Sequence, residues 1–350
     1  MIQIDGAYGE GGGQVLRTTL SLAAITGRAV RVVRIRAGRQ KPGLAAQHLT
    51  AVRAAAAICQ AEVRGDSLGS MTLEFVPSAP PQAGRYSFDV TQAQEGGSAG
   101  SITLILQTIL LPLALAQGSS QVTLRGGTHV PWSPPLTYIE TVYLPLLARM
   151  GVQAQVALRA WGWYPRGGGE AHLQVEGGTT LKALTLLERG DLRQVQGLAV
   201  VTELPSHIPQ RMARRAENLL RQAGLKAHVR PLRQRGVGPG AGLFLTAEYE
   251  HSLAGFSALG RPGLRAERVA EMACRSLLAF HQDDAPVDPF LADQLILPAA
   301  LASQTSRYRV AQVTSHLTTN AWVVQQFGLA RVTVDEAARL VEVEPRTGTL

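Results

Sequence analysis

At 350 residues the chain is long for one compact core, so one large domain with a smaller companion is expected. Hydrophobic residues at 45% and charged residues at 17% exclude a disordered chain and suit an ordinary globular one. The net charge is +8, and of the 34 basic residues all but Lys41, Lys182 and Lys226 are Arg, whose planar fork grips phosphate in two places at once. A polyanionic partner fits that bias, although GC-rich coding or a thermophilic source would fit it equally.

The segment IDGAYGEGGGQVLRTTLSLAAITG (4–27) predicts a strand, a glycine cluster at Gly9, Gly11, Gly12 and Gly13, and a helix. Glycines at such a turn let backbone N–H groups approach an anion at the helix N-terminus. The spacing is neither the dinucleotide fingerprint nor the P-loop. Glu10 would repel phosphates unless it holds a divalent cation that bridges to them; the plainer reading is a tight turn with a helix-capping Glu. Residues 20–38 then pass from helix into an alternating strand through Val30, Val32, Arg34 and Arg36. In 34–55, Arg36, Arg39 and Lys41 crowd a Gly/Pro connection, and Gln47 and His48 open the next helix. Such a loop suits a terminal phosphate, and Arg17, one turn into the first helix, could join it; an exposed basic loop would look the same. Cys59 and Cys274 lie in apolar helical contexts and read as core residues, not as a disulfide or a metal site.

The turn GGSAGS opens an apolar helix that carries Gln107, which needs a partner: a ligand or a satisfied core amide. The run 102–116 is broken by Gln107 and Pro112 and is too short to span a bilayer. With no signal-like N-terminus, no membrane association and a cytoplasmic location are expected. His129, Trp132 and Pro134 in 125–139 could wall a base pocket, and 163–173 adds a glycine-rich loop. The helix-to-strand passage of 20–38 recurs at 110–127, 146–161 and 296–313. Four copies predict an α+β fold of repeated helix-over-sheet units. Between the third and fourth, 183–280 carries a basic amphipathic helix, a Gly/Pro loop, a strand and another helix, as an inserted small α/β domain would. The expected division is therefore 1–182 plus 281–340 for the large catalytic domain, 183–280 for the insert and 341–350 for a C-terminal tail. The basic helix (209–224) reads as a solvated face in preference to a nucleic-acid contact.

In FLADQLILPAALA (290–302), Asp293 and Gln294 are placed at the start of a helix, and in VTSHLTTNAWVV (313–324) His316 is placed in a strand or turn among hydroxyls and Asn320. A nucleophilic His needs one ring nitrogen free and the other held by an acceptor; a lone His is more often structural. No second His stands at metal-ligand spacing around it and no Cys pair exists, which argues against zinc, and no G-x-S-x-G elbow supports a serine hydrolase.

GAYGEGGGQVLR, IRAGRQKPGLAAQHLTAV, GSAGSITLILQT, LADQLILPAALA and SHLTTNAWVV, taken in order, closely resemble the RNA 3′-terminal phosphate cyclases from about residue 2 to 340, most weakly across 183–280. The resemblance implies repeated α+β units like those of the enolpyruvyl-transferase superfamily, with a smaller inserted domain. It implies ATP and a divalent cation (Mg²⁺ or Mn²⁺) as cofactors and an RNA 3′-phosphate end as partner. His316 would carry AMP and Glu10 would bind the metal. Gln107, Pro134, Phe290, Asp293 and Gln294 would contact the nucleotide, with Phe290 and Pro134 flanking the base. Arg17, Arg36, Arg39, Gln47 and His48 would lie near the triphosphate or the RNA end. Members often have Tyr or His at Phe290 and Cys at Ser315; an aromatic platform survives the first change. The competing readings are a non-catalytic ribosome-assembly relative of the same fold and an enolpyruvyl transferase. Monomer and homodimer remain equally open.

Overall fold

The computed structural model describes residues 1–93 and 98–346; Gly96 and Gly97 of the glycine/serine turn lie outside the described residues. The first unit is β1 (Ile2–Asp5), α1 (Gly13–Thr26), β2 (Val30–Val33), α2 (Ala46–Cys59), β3 (Glu62–Arg64) and β4 (Leu73–Val76). Its sheet runs β1-β2-β4-β3, with β1 and β2 parallel and the other pairs antiparallel. The second is β5 (Arg85–Asp89), α3 (Ile102–Leu115), β6 (Ser119–Gly126), a helical stretch, β7 (Gln153–Ala160) and β8 (Gly169–Glu176). That stretch comprises α4 (Leu136–Tyr138), one π turn (Ile139–Tyr143) and α5 (Leu144–Arg149). Its sheet, β5-β6-β8-β7, repeats the first in order and direction.

A short strand, β9 (Thr185–Leu186), opens the third unit, and the chain then leaves it. It forms β10 (Leu192–Thr202), α6 (His207–Gln222), β11 (Ala227–Gln234), β12 (Gly240–Tyr249), β13 (Leu253–Leu259) and α7 (Ala266–Gln282). These strands make a separate sheet, β11-β10-β12-β13, with a core of its own that includes Met212, Leu245 and Leu277. The chain returns with α8 (Ile296–Ala300), β14 (Ser306–Arg309), α9 (Ser315–Gln326), β15 (Ala330–Asp335) and β16 (Leu340–Pro345). The sheet β15-β16-β14-β9 completes the third unit, with β9 parallel to β14.

The fold is α+β with repeated helix-over-sheet units, as expected, but the repeat counts differently. Each unit contains two helix-to-strand passages, not one. The passage at 146–161 is the second of its unit, and its counterparts are α2 to β3 and α9 to β15. Two boundaries move as well. β9 lies within 183–280 yet pairs with β14, and residues 341–345, expected in a tail, are the strand β16.

Helix α3 is apolar on nearly every side and is buried from Ile102 to Ala114 except at Gln107, as a central helix must be. It packs against α1 and α2, and α1 against α9, so the helices of all three units meet in one core. β2 stops at Val33 because Arg34 and Arg36 both take φ +52, which turns them out of the expected strand. The arginines of the basic helix face carboxylates: Arg211 pairs with Glu267 and Arg215 with Glu271, both on α7. No helix of the described residues is long and apolar enough to cross a membrane.

Candidate active site

The glycine loop between β1 and α1 lies flush against two other helices. Gly9 and Gly11 take φ +61 and +57, a region that favours glycine. A Cβ at Gly9 would stand 2.2 Å from the Thr319 hydroxyl, and one at Gly13 would stand 2.4 Å from His48 Nε2. Tyr8 stacks on Trp322 with ring centroids 3.9 Å apart, so the loop is clamped onto α9 at a second point.

Helix α9 presents three polar side chains on one face. Thr314 caps it, accepting the Leu317 N–H at 3.2 Å, and His316 occupies the first turn. One turn on, Thr319 accepts the Glu10 N–H at 3.3 Å. Asn320 is buried; it accepts from the Thr18 hydroxyl at 2.6 Å and donates to the Asp293 carbonyl at 2.9 Å. Positions i, i+3 and i+4 share a helix face, so nucleophile candidate, glycine loop and 293 turn are held in register by one element. His316 is therefore helical, not in a strand or turn, and its side chain stays half exposed at 51%. Its Nδ1 faces Glu10 Oε1 at 3.6 Å, beyond hydrogen-bond length but close enough to orient the ring. A carboxylate therefore lies beside the ring without being hydrogen-bonded to it.

Cations close the other side. Arg39 donates to the Glu10 carbonyl at 3.0 Å and to its Oε2 at 2.5 Å. Arg36 donates to the Gly43 carbonyl at 2.7 Å, closing the basic loop. Its pKa is lowered by burial and by neighbouring Arg39, against the pull of Glu10. Arg17 is part-buried; desolvation lowers its pKa to about 10, opposed by Asp293 and Glu10, so it remains a cation at neutral pH. Its Nη2 donates to Gln14 at 2.5 Å while its Nε has no partner. His48 accepts the Ala45 N–H on Nδ1 at 3.1 Å, and burial beside Arg36 and Arg17 pushes its pKa to about 3, keeping the ring neutral. Gln47 Oε1 accepts the Ser101 N–H at 3.0 Å, tying α2 to the turn before α3.

The remaining residues meet through α3. Gln107 donates to Gln294 at 2.6 Å, and Gln294 in turn donates to the Phe290 carbonyl. Thr103, one turn earlier, donates to the Pro134 carbonyl at 2.7 Å. One face of α3 therefore anchors both Pro134 and the half-exposed Phe290. Gln107 is a satisfied amide whose partner is itself a site residue. Asp293 is buried, and burial raises its pKa to about 7 in spite of Arg17. Arg17, Gln107, Asp293 and Gln294 line one cleft with Gln14, Thr18 and Asn320.

Three placements differ from expectation. Asp293 and Gln294 sit in turns ahead of α8, which starts only at Ile296. His129 walls no pocket: it is sealed among Trp161, Trp163 and Phe244, and burial alone pushes its pKa to about 3. Trp132 is 94% exposed. Thr18 escaped the sequence reading, and Thr319 and Asn320 entered it only as neighbours of His316, although their i+3, i+4 spacing is visible in SHLTTN once a helix is granted. No group of three His, Cys, Asp or Glu able to hold a metal exists among the described residues. Glu10 is the carboxylate beside the glycine loop and Asp293 is buried deeper against Arg17, so the donor set fits a cation at Glu10 only as one ligand shared with substrate phosphates.

The family described as RNA 3′-terminal phosphate cyclase matches residues 8–334. A protein of that name from Nostoc punctiforme is 68% identical over 99% of this chain and 100% of its own length. One from Methylococcus capsulatus is 58% identical over 95% and 93%, and one from Ignicoccus hospitalis 40% identical over 93% and 92%. Among solved structures, the enolpyruvyl transferase NikO from Streptomyces tendae matches 51% of this chain and 34% of its own at 16% identity and TM-score 0.28, too little to argue from. A match over nearly the whole length, on a chain whose ordered motifs converge on one cleft, means that this protein belongs to the RNA 3′-terminal phosphate cyclase family.

Proposed function

We propose that the protein converts an RNA 3′-phosphate to a 2′,3′-cyclic phosphate at the expense of ATP, with His316 carrying AMP. The observation that carries the reading is the half-exposed His316 imidazole, oriented by Glu10 on one side and set at the N-terminus of α9, where the helix dipole favours phosphate. In the tautomer with its proton on Nδ1, towards Glu10, Nε2 would carry the lone pair. That nitrogen attacks the α-phosphorus of ATP; an N–P bond forms and pyrophosphate leaves. An oxygen of the RNA 3′-phosphate then displaces the imidazole, giving an RNA-(3′)pp(5′)A anhydride. Finally the vicinal 2′-OH attacks the terminal phosphorus, AMP leaves and the ring closes. Each step is a phosphoryl or nucleotidyl transfer, in which positioning and charge neutralisation do most of the work.

Arg17, Arg36 and Arg39 supply fixed positive charge for the phosphates, and neutral His48 and Gln47 offer hydrogen bonds without further charge. Phe290 and Pro134 would flank the adenine, and Gln107, Asp293 and Gln294 would meet the nucleoside between them. Mg²⁺ or Mn²⁺, held by Glu10 together with the phosphates, would neutralise charge on the triphosphate. The relatives at 58–68% identity are named as cyclases, which supports catalysis over a binding-only role and over enolpyruvyl transfer. We place the protein in the cytoplasm.

Incubation with α-labelled ATP and Mg²⁺ or Mn²⁺ tests the reading. Wild type should acquire an acid-labile label that His316→Ala does not. Absence of label, or equal label on the variant, would sink it.

A further inference from the structure

Trp132 and Tyr164 are 94% and 65% exposed, and the cleft described above uses neither. Open aromatic faces of this kind are available for stacking. Trp132 also takes φ +61 within a proline-rich loop, a conformation that bulky L-residues rarely adopt. The parallel pairing of His129 with Trp163 sets the two loops side by side.

Both loops start at the border of the cleft. The Trp132 loop ends on Pro134, which Thr103 of α3 holds by its carbonyl. The Tyr164 loop passes so close to the turn before α3 that a Cβ at Gly167 would stand 3.1 Å from Ala99 Cα. That turn is bound to Gln47 through the Ser101 N–H. On its far side the same loop is tied to the inserted sheet, where Arg166 donates to the Val237 carbonyl at 3.0 Å. Exposed Arg166, two residues from Tyr164, adds positive charge to this strip.

We propose that Trp132 and Tyr164 form a stacking platform for bases of the RNA strand just 5′ of the end being processed. The proposal rests on the functional reading above, since it extends the path of the same substrate. An RNA whose last nucleotide occupies the cleft must continue out of it, and this strip adjoins the Gln47 border. Unpaired bases stack on aromatic faces with little regard to sequence, while nearby Arg residues track the phosphates. A charge-paired surface would not suit that task, but two open rings beside a cation do.

The test compares two substrates: a ten-nucleotide RNA with a 3′-phosphate, and a single nucleoside 3′,5′-bisphosphate too short to reach the rings. For the Trp132→Leu/Tyr164→Leu double variant, KM for the decamer should rise about five- to tenfold, from the worth of stacked bases. KM for the bisphosphate and the rate of self-labelling by ATP should stay at wild-type values. Trp132→Phe/Tyr164→Phe should restore decamer KM, because it restores the ring faces. Unchanged decamer KM, equal losses on both substrates, or no rescue by Phe would each overturn the platform. If wild type turned over neither substrate, the functional reading would fail. Decamer affinity of wild type and the Leu variant, measured by fluorescence anisotropy, would still decide the platform: equal affinities overturn it.

Discussion

Asp293→Asn should make the protein more stable at alkaline pH while removing its activity. Asp293 is buried, and its carboxyl is moved from the ordinary 3.8 to about 7 by burial, against the attraction of Arg17. At about 1.36 kcal/mol per tenfold, that displacement costs the folded state about 4 kcal/mol once the pH exceeds 7. Between pH 3.8 and about 7 the folded chain holds a proton that the unfolded chain has released, so stability falls as pH rises through that window and levels off above it. Asparagine keeps the volume and cannot ionise. Its gain should therefore be about 4 kcal/mol at pH 8, about 2 kcal/mol at pH 5.5, and nothing below pH ~4. The loss of a counter-charge for Arg17 is already contained in the value of about 7, because Arg17 lowers it. Urea unfolding of both proteins at pH 8 and pH 5.5 reads the effect as a difference in midpoint. Equal midpoints at pH 8, or a gap that fails to narrow at pH 5.5, would refute the reasoning. Labelling by ATP should be lost at both pH values, a trade of stability for function.

Other substitutions probe the same frame. Gly12 has an ordinary extended φ of −104, but a Cβ there would meet Glu10 Oε1 at 2.1 Å. Gly12→Ala should slow self-labelling at least ~10-fold with little change in melting temperature, since it displaces the Glu10 carboxylate without straining the backbone; a wild-type rate would show that the carboxylate position is not needed. Asn320→Ala leaves the Thr18 hydroxyl and the Asp293 carbonyl unpaired, which should cost about 2–4 kcal/mol in a thermal melt. A loss under about 1 kcal/mol would mean that water replaces the amide. Arg39→Ala should impair transfer to RNA 3′-phosphate more than self-labelling, whereas equal losses would move Arg39 to the ATP side.

Much of the cleft was legible because its chemistry is local in sequence. The glycine loop, the Arg36–Arg39 connection and the Gln47–His48 helix start each announce themselves within a dozen residues. What the sequence hid is what depends on packing. Asn320 reads as an ordinary polar residue until α9 is known to run beneath both the glycine loop and the 293 turn. His129 and His316 look alike as lone histidines, yet one is sealed among three aromatic rings and the other half exposed beside a carboxylate. The repeat was miscounted for a similar reason. β3 is three residues long, too short to show a period of two, so the passage from α2 into it leaves no pattern.

The candidate site draws one residue from each unit: Glu10 from the first, Gln107 from the second, His316 from the third. The bond between Glu10 and Thr319 spans 309 positions of chain. During synthesis, therefore, the glycine loop must wait for nearly the entire polypeptide before it meets its helix, and the insert separating β9 from α8 lengthens that delay. An incomplete chain cannot bring His316 and Glu10 together, so the candidate site is assembled only at the end of folding.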